Sequence, residues 1–234
     1  MRERAGSARL LTADDLSASF VGWRSPPVGT GGIVNTKFGA AVLRVVVQKL
    51  VEGRLKDLYD QPIMVENPGA IVVCQAGDRV GLVQNYRFVG ERLIDAGAGY
   101  VKWLHDEGRF EALLATLGRW CWELPRGLSP KYNADDIRDF VLATAKAEAL
   151  EESGLRLSGV RIAGRVNANS TFYAHAQYVV HGKVVGKGDN RPEAAEMLGA
   201  TKLFSAPEIR LLVDRGELDD GLTLAALAVC EFHF

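Results

Sequence analysis

Cysteine is scarce in this 234-residue chain: Cys74, Cys121 and Cys230 are the three present, an odd number with no C-x-x-C pair. That count argues against a disulfide scaffold and against a zinc knuckle, and it suits a reducing compartment. An excess of one charge is lacking too, with Lys+Arg 28 against Asp+Glu 29 and a formal net charge of -1. A protein that grips nucleic acid through its phosphates carries a basic excess, so no nucleic-acid partner is expected. Long apolar runs are missing as well. Arg44 and Gln48 interrupt the best of them, residues 40–50, well short of the roughly 18 residues that span a bilayer. Arg2 and Arg4 are followed by no apolar stretch of the signal-peptide kind. A cytoplasmic protein with no membrane partner is the expectation.

What is present is ordinary globular material, 47% apolar and 24% charged. Residues 1–37 are turn-rich, with Ser25-Pro26-Pro27 and Gly29-Thr30-Gly31-Gly32 as breakers, and read as an irregular arm with a short helix after Thr12. Residues 38–50 are dense in valine and fit either a strand or a buried helix, since periodicity alone does not decide. Ala70–Cys74 and Val80–Gln84 read as a hairpin across the turn Ala76-Gly77-Asp78. Residues 90–118 are helix-prone, and Trp120–Gly127 is a short strand stopped by proline and glycine. Trp120 and Trp122 alternate with Cys121 and are expected to fill core. Asp135 or Asp136 caps a helix that runs to Ser153, with Gly154 as its stop. Strands are expected over Gly159–Val166 and Thr171–Val180, then a turn at His181-Gly182-Lys183 and a further strand near Val184. Ser205-Ala-Pro-Glu208 is a capping box opening a helix to Arg215, and a last apolar helix covers Leu222–Val229. The order specifies an α/β (α+β) fold with a mixed sheet packed by helices.

One helix breaks the usual rules. Glu148, Glu151 and Glu152 lie at i, i+3 and i+4, where like charges oppose the helix by about 0.2–0.5 kcal/mol per pair. Two of them occupy the last turn, where the macrodipole disfavours each anion by about 0.3–1 kcal/mol. No Lys or Arg in the helix compensates them. A solvated acidic face is one reading. The other is a site for a hard divalent cation, since Mg²⁺ prefers carboxylate oxygen and no histidine or cysteine lies nearby.

The neighbourhood favours the second reading. Glu148-Ala149-Leu150-Glu151-Glu152-Ser153-Gly154-Leu155 resembles the E-U-x-E-E-x-G-U half of the Nudix hydrolase signature, where U is a bulky aliphatic. Glu123-Leu124-Pro125-Arg126-Gly127 resembles the E-L-P-A-G strand of the ADP-ribose pyrophosphatase-like members. Val65–Ala70, Val83–Arg87 and Gly216–Asp219 are similar to that subfamily's V-x-x-P-G-A, Q-Y-R and G-x-I-x-D segments, in the expected order. There are departures. The signature arginine is Ala147, its earlier glutamate is Asp139, and eleven residues separate Gly127 from Asp139, more than the family spacing.

The resemblance implies a Nudix-type α/β/α sandwich over residues 61–234, with an insertion at about 88–119. It implies Mg²⁺, or Mn²⁺ in its place, held by Glu148 and Glu152 with Glu151 assisting and a backbone carbonyl at Arg126 or Gly127 as a further ligand. Glu193 and Glu196, before the Ser205 helix, are the candidates for a general base. On the substrate side stand Arg126, Arg87 (a bidentate phosphate donor or a structural ion pair) and Tyr86 (core or a stacking platform). The implied activity is hydrolysis of the pyrophosphate bond of a nucleoside diphosphate linked to a sugar, with ADP-ribose the default. A degenerate module that binds a nucleotide or partner without cleaving it stays open because of Ala147. Residues 1–60 are expected to act as an N-terminal dimerisation segment of a homodimer, since their valine run is costly to leave in water.

Overall fold

Valine and its β-branched relatives favour a pleated surface, and they settle the segment whose period left strand and helix open: Ala40–Val51 is a strand. The computed structural model describes residues 8–10, 33–35, 40–51, 54–87, 119–128, 136–170, 172–173, 177–191 and 197–234, with side chains from residue 63 onward. The helix expected after Thr12, the turn at 29–32, the helix-prone stretch 90–118 with nearly all of the insertion, and Glu193 and Glu196 lie outside those residues. The described residues up to Asn67 form one unit with Asn169–His175, while Pro68–Ala168 and Ala176–Phe234 form another.

The first unit is an antiparallel sheet. Strands β1 (Ala8–Leu10), β2 (Ile33–Asn35), β3 (Ala40–Val51) and β4 (Arg54–Glu66) build it. β3 pairs with β4 from Ala40↔Glu66 to Val51↔Arg54, and β1 and β2 both pair with β3. Residues 8–10 and 33–35 are thus strands within what reads in sequence as an irregular arm. Met64 donates its N–H to the Phe172 carbonyl at 2.7 Å.

The second unit places the glutamates. Its seven strands are β5 (Gly69–Ala76), β6 (Arg79–Arg87), β7 (Arg119–Glu123), β8 (Arg126–Leu128), β9 (Leu155–Val166), β10 (Gln177–Lys187) and β11 (Leu198–Ser205). The main path runs β11-β6-β5-β10-β9, with β7 added to β6 and β8 added to β5. β10 and β5 are parallel, and every other pair is antiparallel, so the sheet is mixed. The expected hairpin is β5–β6, turning at Gly77 with φ 64°.

Helix α1 (Ile137–Ser153) covers one face, and α2 (Ala206–Asp214) with α3 (Gly221–Val229) covers the other. β5 shows why both faces need covering. Ala70, Val72 and Cys74 pack with Val141, Ala145 and Ala149 of α1. Ile71 and Val73 pack with Ile209, Leu212, Ala226 and Leu227. A strand with no polar face is buried between two layers. The architecture is an α/β/α sandwich, and among the described residues no helix is long and apolar enough to cross a membrane.

Several expectations need correction. No turn interrupts His181-Gly182-Lys183, because β10 continues through it in parallel register with Val73, Cys74 and Gln75. Gly182 serves close packing instead: a Cβ there would meet Val160 at 2.9 Å and Leu157 at 3.0 Å. β10 is Gln177–Lys187, and Phe172 and Tyr173, within the expected strand, donate their amides to the Asn169 carbonyl instead. β9 begins at Leu155 rather than at Gly159. β11 lies in a segment that carries no strand expectation. Trp122 is core, edge-on to Phe204, whereas Trp120 is 47% exposed and rests against Tyr86.

The ends of α1 follow the sequence closely. Asp136 caps it by accepting the Asp139 amide, and Gly154 closes it at φ 69°, donating to the Ala149 and Leu150 carbonyls. Arg191 N–H satisfies the Glu151 carbonyl at 3.0 Å, one of the orphan acceptors of the last turn. A Cβ on Gly154 would come within 2.8 Å of the Gly188 carbonyl oxygen. Gly154→Ala is therefore expected to destabilise the protein by about 1–2 kcal/mol from the left-handed backbone alone, read as a lower urea midpoint. An unchanged midpoint contradicts the capping role.

Candidate active site

The last turns of α1 present their three glutamates unequally. Glu152 is buried at 2% exposure, Glu148 is half-buried and Glu151 is exposed. Glu152 Oε2 accepts the backbone N–H of Arg126 at 2.9 Å. Glu148 lies with its carboxylate against Gly127, where even a methyl group would overlap it. Glycine is required there by close approach rather than by a turn. Two carboxylates four residues apart thus converge on the Arg126–Gly127 backbone.

Contacts from several elements fix residues 123–126 around that backbone. Glu123 is completely buried, and a buried carboxylate is tolerated only with paired charge. Arg87 supplies it through Nε, at 3.0 Å and 3.2 Å from the two carboxylate oxygens, and through Nη2 at 2.5 Å. Arg126 Nη2 adds a contact at 3.1 Å. The Leu124 amide donates to Thr223 Oγ1 at 3.0 Å, and the Pro125 carbonyl accepts the Val72 amide at 2.9 Å. Arg126 Nη1 reaches Asp220 at 2.8 Å, and Asp220 in turn caps α3 through the Thr223 amide at 2.9 Å and hydroxyl at 2.7 Å.

Titration follows from this arrangement. Burial alone would raise the Asp220 carboxyl, but Arg126 and the two Thr223 hydrogen bonds outweigh it and hold the group below its ordinary 3.8. Burial likewise opposes the Arg126 charge, and Glu123 and Asp220 more than restore it. The Cys74 thiol, under Glu152, is pushed far up by burial and then by that charge, so it is neither nucleophile nor soft ligand.

Of the residues singled out in the sequence, Glu148, Glu152, Arg126 and Gly127 come together, and Arg87 joins them through Glu123. Glu151 stays exposed on the helix. Tyr86 lies on the opposite face of the sheet, because it alternates with Arg87 and its ring meets Trp120 at 5.6 Å. Glu123 and Asp220 belong to the network although neither stands out as chemistry in the sequence. The available signal for Asp220 is its spacing to Thr223, a helix N-cap pattern.

Among the described residues no three His, Cys, Asp or Glu side chains converge as a metal-binding group. The donors present are nevertheless hard: two carboxylates beside an exposed third, along a strand backbone. Mg²⁺ commonly takes one or two carboxylates and completes its shell with water and substrate phosphate, so the residues fit such an ion.

The sign of the Asp220 shift gives a test. A depressed carboxyl contributes stability above its unfolded value, and that contribution is lost as pH falls through the folded value. Below about pH 4 the wild-type protein should lose urea resistance more steeply than Asp220→Asn, which keeps the cap but not the charge. Parallel acid limbs for the two proteins would remove Asp220 from the ion-pair network.

No family model matches this sequence, and no curated protein matches it. Among solved structures the chain is similar to one described as an ADP compounds hydrolase, with a TM-score of 0.53 and 11% identity over 86% of this chain and 88% of that one. A NUDIX hydrolase from Nitrosomonas europaea aligns with a TM-score of 0.44 and 17% identity, over 70% of this chain and 88% of that one. At such identities the likeness concerns fold. With its mixed sheet layered between α1 on one side and α2 and α3 on the other, the chain has the Nudix-type fold.

Proposed function

We propose that this protein hydrolyses the pyrophosphate bond of a nucleoside diphosphate linked to a sugar, with ADP-ribose as the default substrate and Mg²⁺ or Mn²⁺ as cofactor. The observation that carries the reading is the convergence of Glu148 and Glu152 on the glycine-bearing strand at Arg126–Gly127. The sequence resemblance and the fold support it.

Glu148 and Glu152 would hold the ion, Glu151 would assist through water from its exposed position, and the Gly127 carbonyl would complete the protein's share. A bound Mg²⁺ supplies neutralisation of the diphosphate charge and a more acidic water. The chain's own residues do the rest. Arg87 is the more exposed arginine of the network, with 36% of its side chain in contact with solvent, and it turns positive charge toward the diphosphate. Water oxygen bonds to one phosphorus, the bridging P–O bond breaks, and a nucleoside monophosphate and a sugar phosphate leave. The base that takes the water's proton is assigned to Glu193 or Glu196, just before β11. Tyr86, on the far face, is given no part.

A second reading, binding without cleavage, is favoured by Ala147, which stands where the signature has arginine, in a helix whose last turn carries no basic residue. Phosphate-ester products from a panel of nucleotide sugars with Mg²⁺ separate the two. Turnover supports hydrolysis, and thermal stabilisation by one nucleotide without turnover supports the binding module.

Glu152→Gln is expected to lower Mg²⁺-dependent turnover about 100-fold or more while leaving stability equal or slightly higher, because one of three crowded anions is removed. Wild-type turnover in that variant contradicts the metal assignment. The assembly is proposed to be a homodimer in which residues 1–60 take part. Light scattering of the full chain should give about twice 25.4 kDa, and a mass near 25.4 kDa at micromolar protein contradicts it.

A further inference from the structure

The acidic end of α1 poses an electrostatic problem that its own sequence does not solve. Three glutamates crowd the helix's last turns, the final turn carries no basic residue, and Ala147 beside them is exposed and neutral. Arg126, on β8, lies beside two of these glutamates. Its side chain is 20% exposed, and its guanidinium is gripped from two sides, by Glu123 Oε2 at 3.1 Å and Asp220 Oδ2 at 2.8 Å. Its backbone N–H is the donor that holds Glu152 at 2.9 Å. Gly127, the next residue, is the surface on which Glu148 rests.

Resting on the hydrolase reading above, we infer that Arg126 is a positioning residue: its half-buried, doubly paired side chain locks the strand whose backbone orients Glu152 and Glu148. Sequence supports this from an independent direction. The chain has arginine where the E-L-P-A-G strand it resembles has alanine, and alanine where the helix signature has arginine. The side chain is anchored inward at both Nη atoms, so Arg126 is not the group that meets substrate phosphate. Asp220 belongs to the same device, because it ties Arg126 to the start of α3 while capping that helix through Thr223.

Three readouts on the full-length protein test this, with Arg126→Met removing the charge at similar length and Arg126→Lys restoring it. The first is hydrogen exchange of the backbone amide at position 126, which reports the bond to Glu152 with no metal or substrate present. The second is Mn²⁺ affinity by calorimetry. The third is kcat and KM on a nucleotide sugar that the wild type cleaves. Arg126→Met should exchange that amide at least about tenfold faster and bind Mn²⁺ about 10–100-fold more weakly, as removal of an outer-shell partner does. Its kcat should fall while KM for the nucleotide stays within about twofold, the pattern of lost orientation rather than lost substrate binding. Arg126→Lys should recover most of each change. If Arg126→Met proves too unstable to measure, Asp220→Asn, which preserves the α3 cap, should show the same changes in smaller degree.

Unchanged exchange at position 126 in Arg126→Met overturns the positioning role, and so does a raised KM with unchanged kcat, which makes Arg126 a substrate ligand. Should the wild type neither bind Mn²⁺ nor turn over any nucleotide sugar, the hydrolase reading fails. The amide exchange still decides the role of Arg126 on its own.

Discussion

A carboxylate with no access to water organises this site. Glu123, the last residue of β7, is fully buried, and its charge is tolerable only because two arginines meet it there. Once Arg126 is committed to that pair, its direction is settled, and with it the path of residues 124–127 across β5. The remaining contacts follow from that path: the Pro125 carbonyl falls on the Val72 amide, the Arg126 amide on Glu152, and Gly127 beneath Glu148. Removing one partner from such a cluster leaves an uncompensated buried charge, commonly at about 3–5 kcal/mol, so the site and the stability of the second unit share the same atoms.

Helix α1 is the other half of the arrangement. Its inward stripe, Val141, Ala145 and Ala149, is small enough to bring the helix close to the sheet and so to bring Glu152 against the strand. The three glutamates then differ by position: Glu152 is buried and held, Glu148 packs on backbone, and Glu151 faces water. A purely solvated acidic face would show all three exposed. The burial of Glu152 is what a purely solvated acidic face lacks.

The hairpin β5–β6, the caps of α1 and α2 and the glutamate helix are readable in the sequence because each rests on local chemistry: a tight turn, an Asp or Ser cap, a terminal glycine. What is not readable depends on partners distant in the chain. Gly182 looks like a turn until β5 pairs with it in parallel and β9 side chains crowd it. Trp120 and Trp122 share one side of β7, yet one is core and the other rim, because α2 and α3 cover only part of that face. In the site, Glu148, Glu152 and Gly127 are legible through spacing and motif. Arg87 and Glu123 lie 36 residues apart and Arg126 and Asp220 lie 94 apart, and only folding makes them a network.

The most direct test of the proposed chemistry is phosphorus NMR of ADP-ribose, ADP-glucose and UDP-glucose incubated with the protein and Mg²⁺ in ¹⁸O-enriched water. Cleavage at the pyrophosphate replaces the paired diphosphate resonances of at least one compound with two monoester resonances, one of them shifted by a single ¹⁸O. Diphosphate resonances that persist unchanged for all three, or monoesters that form without incorporating ¹⁸O, would contradict hydrolysis at this site.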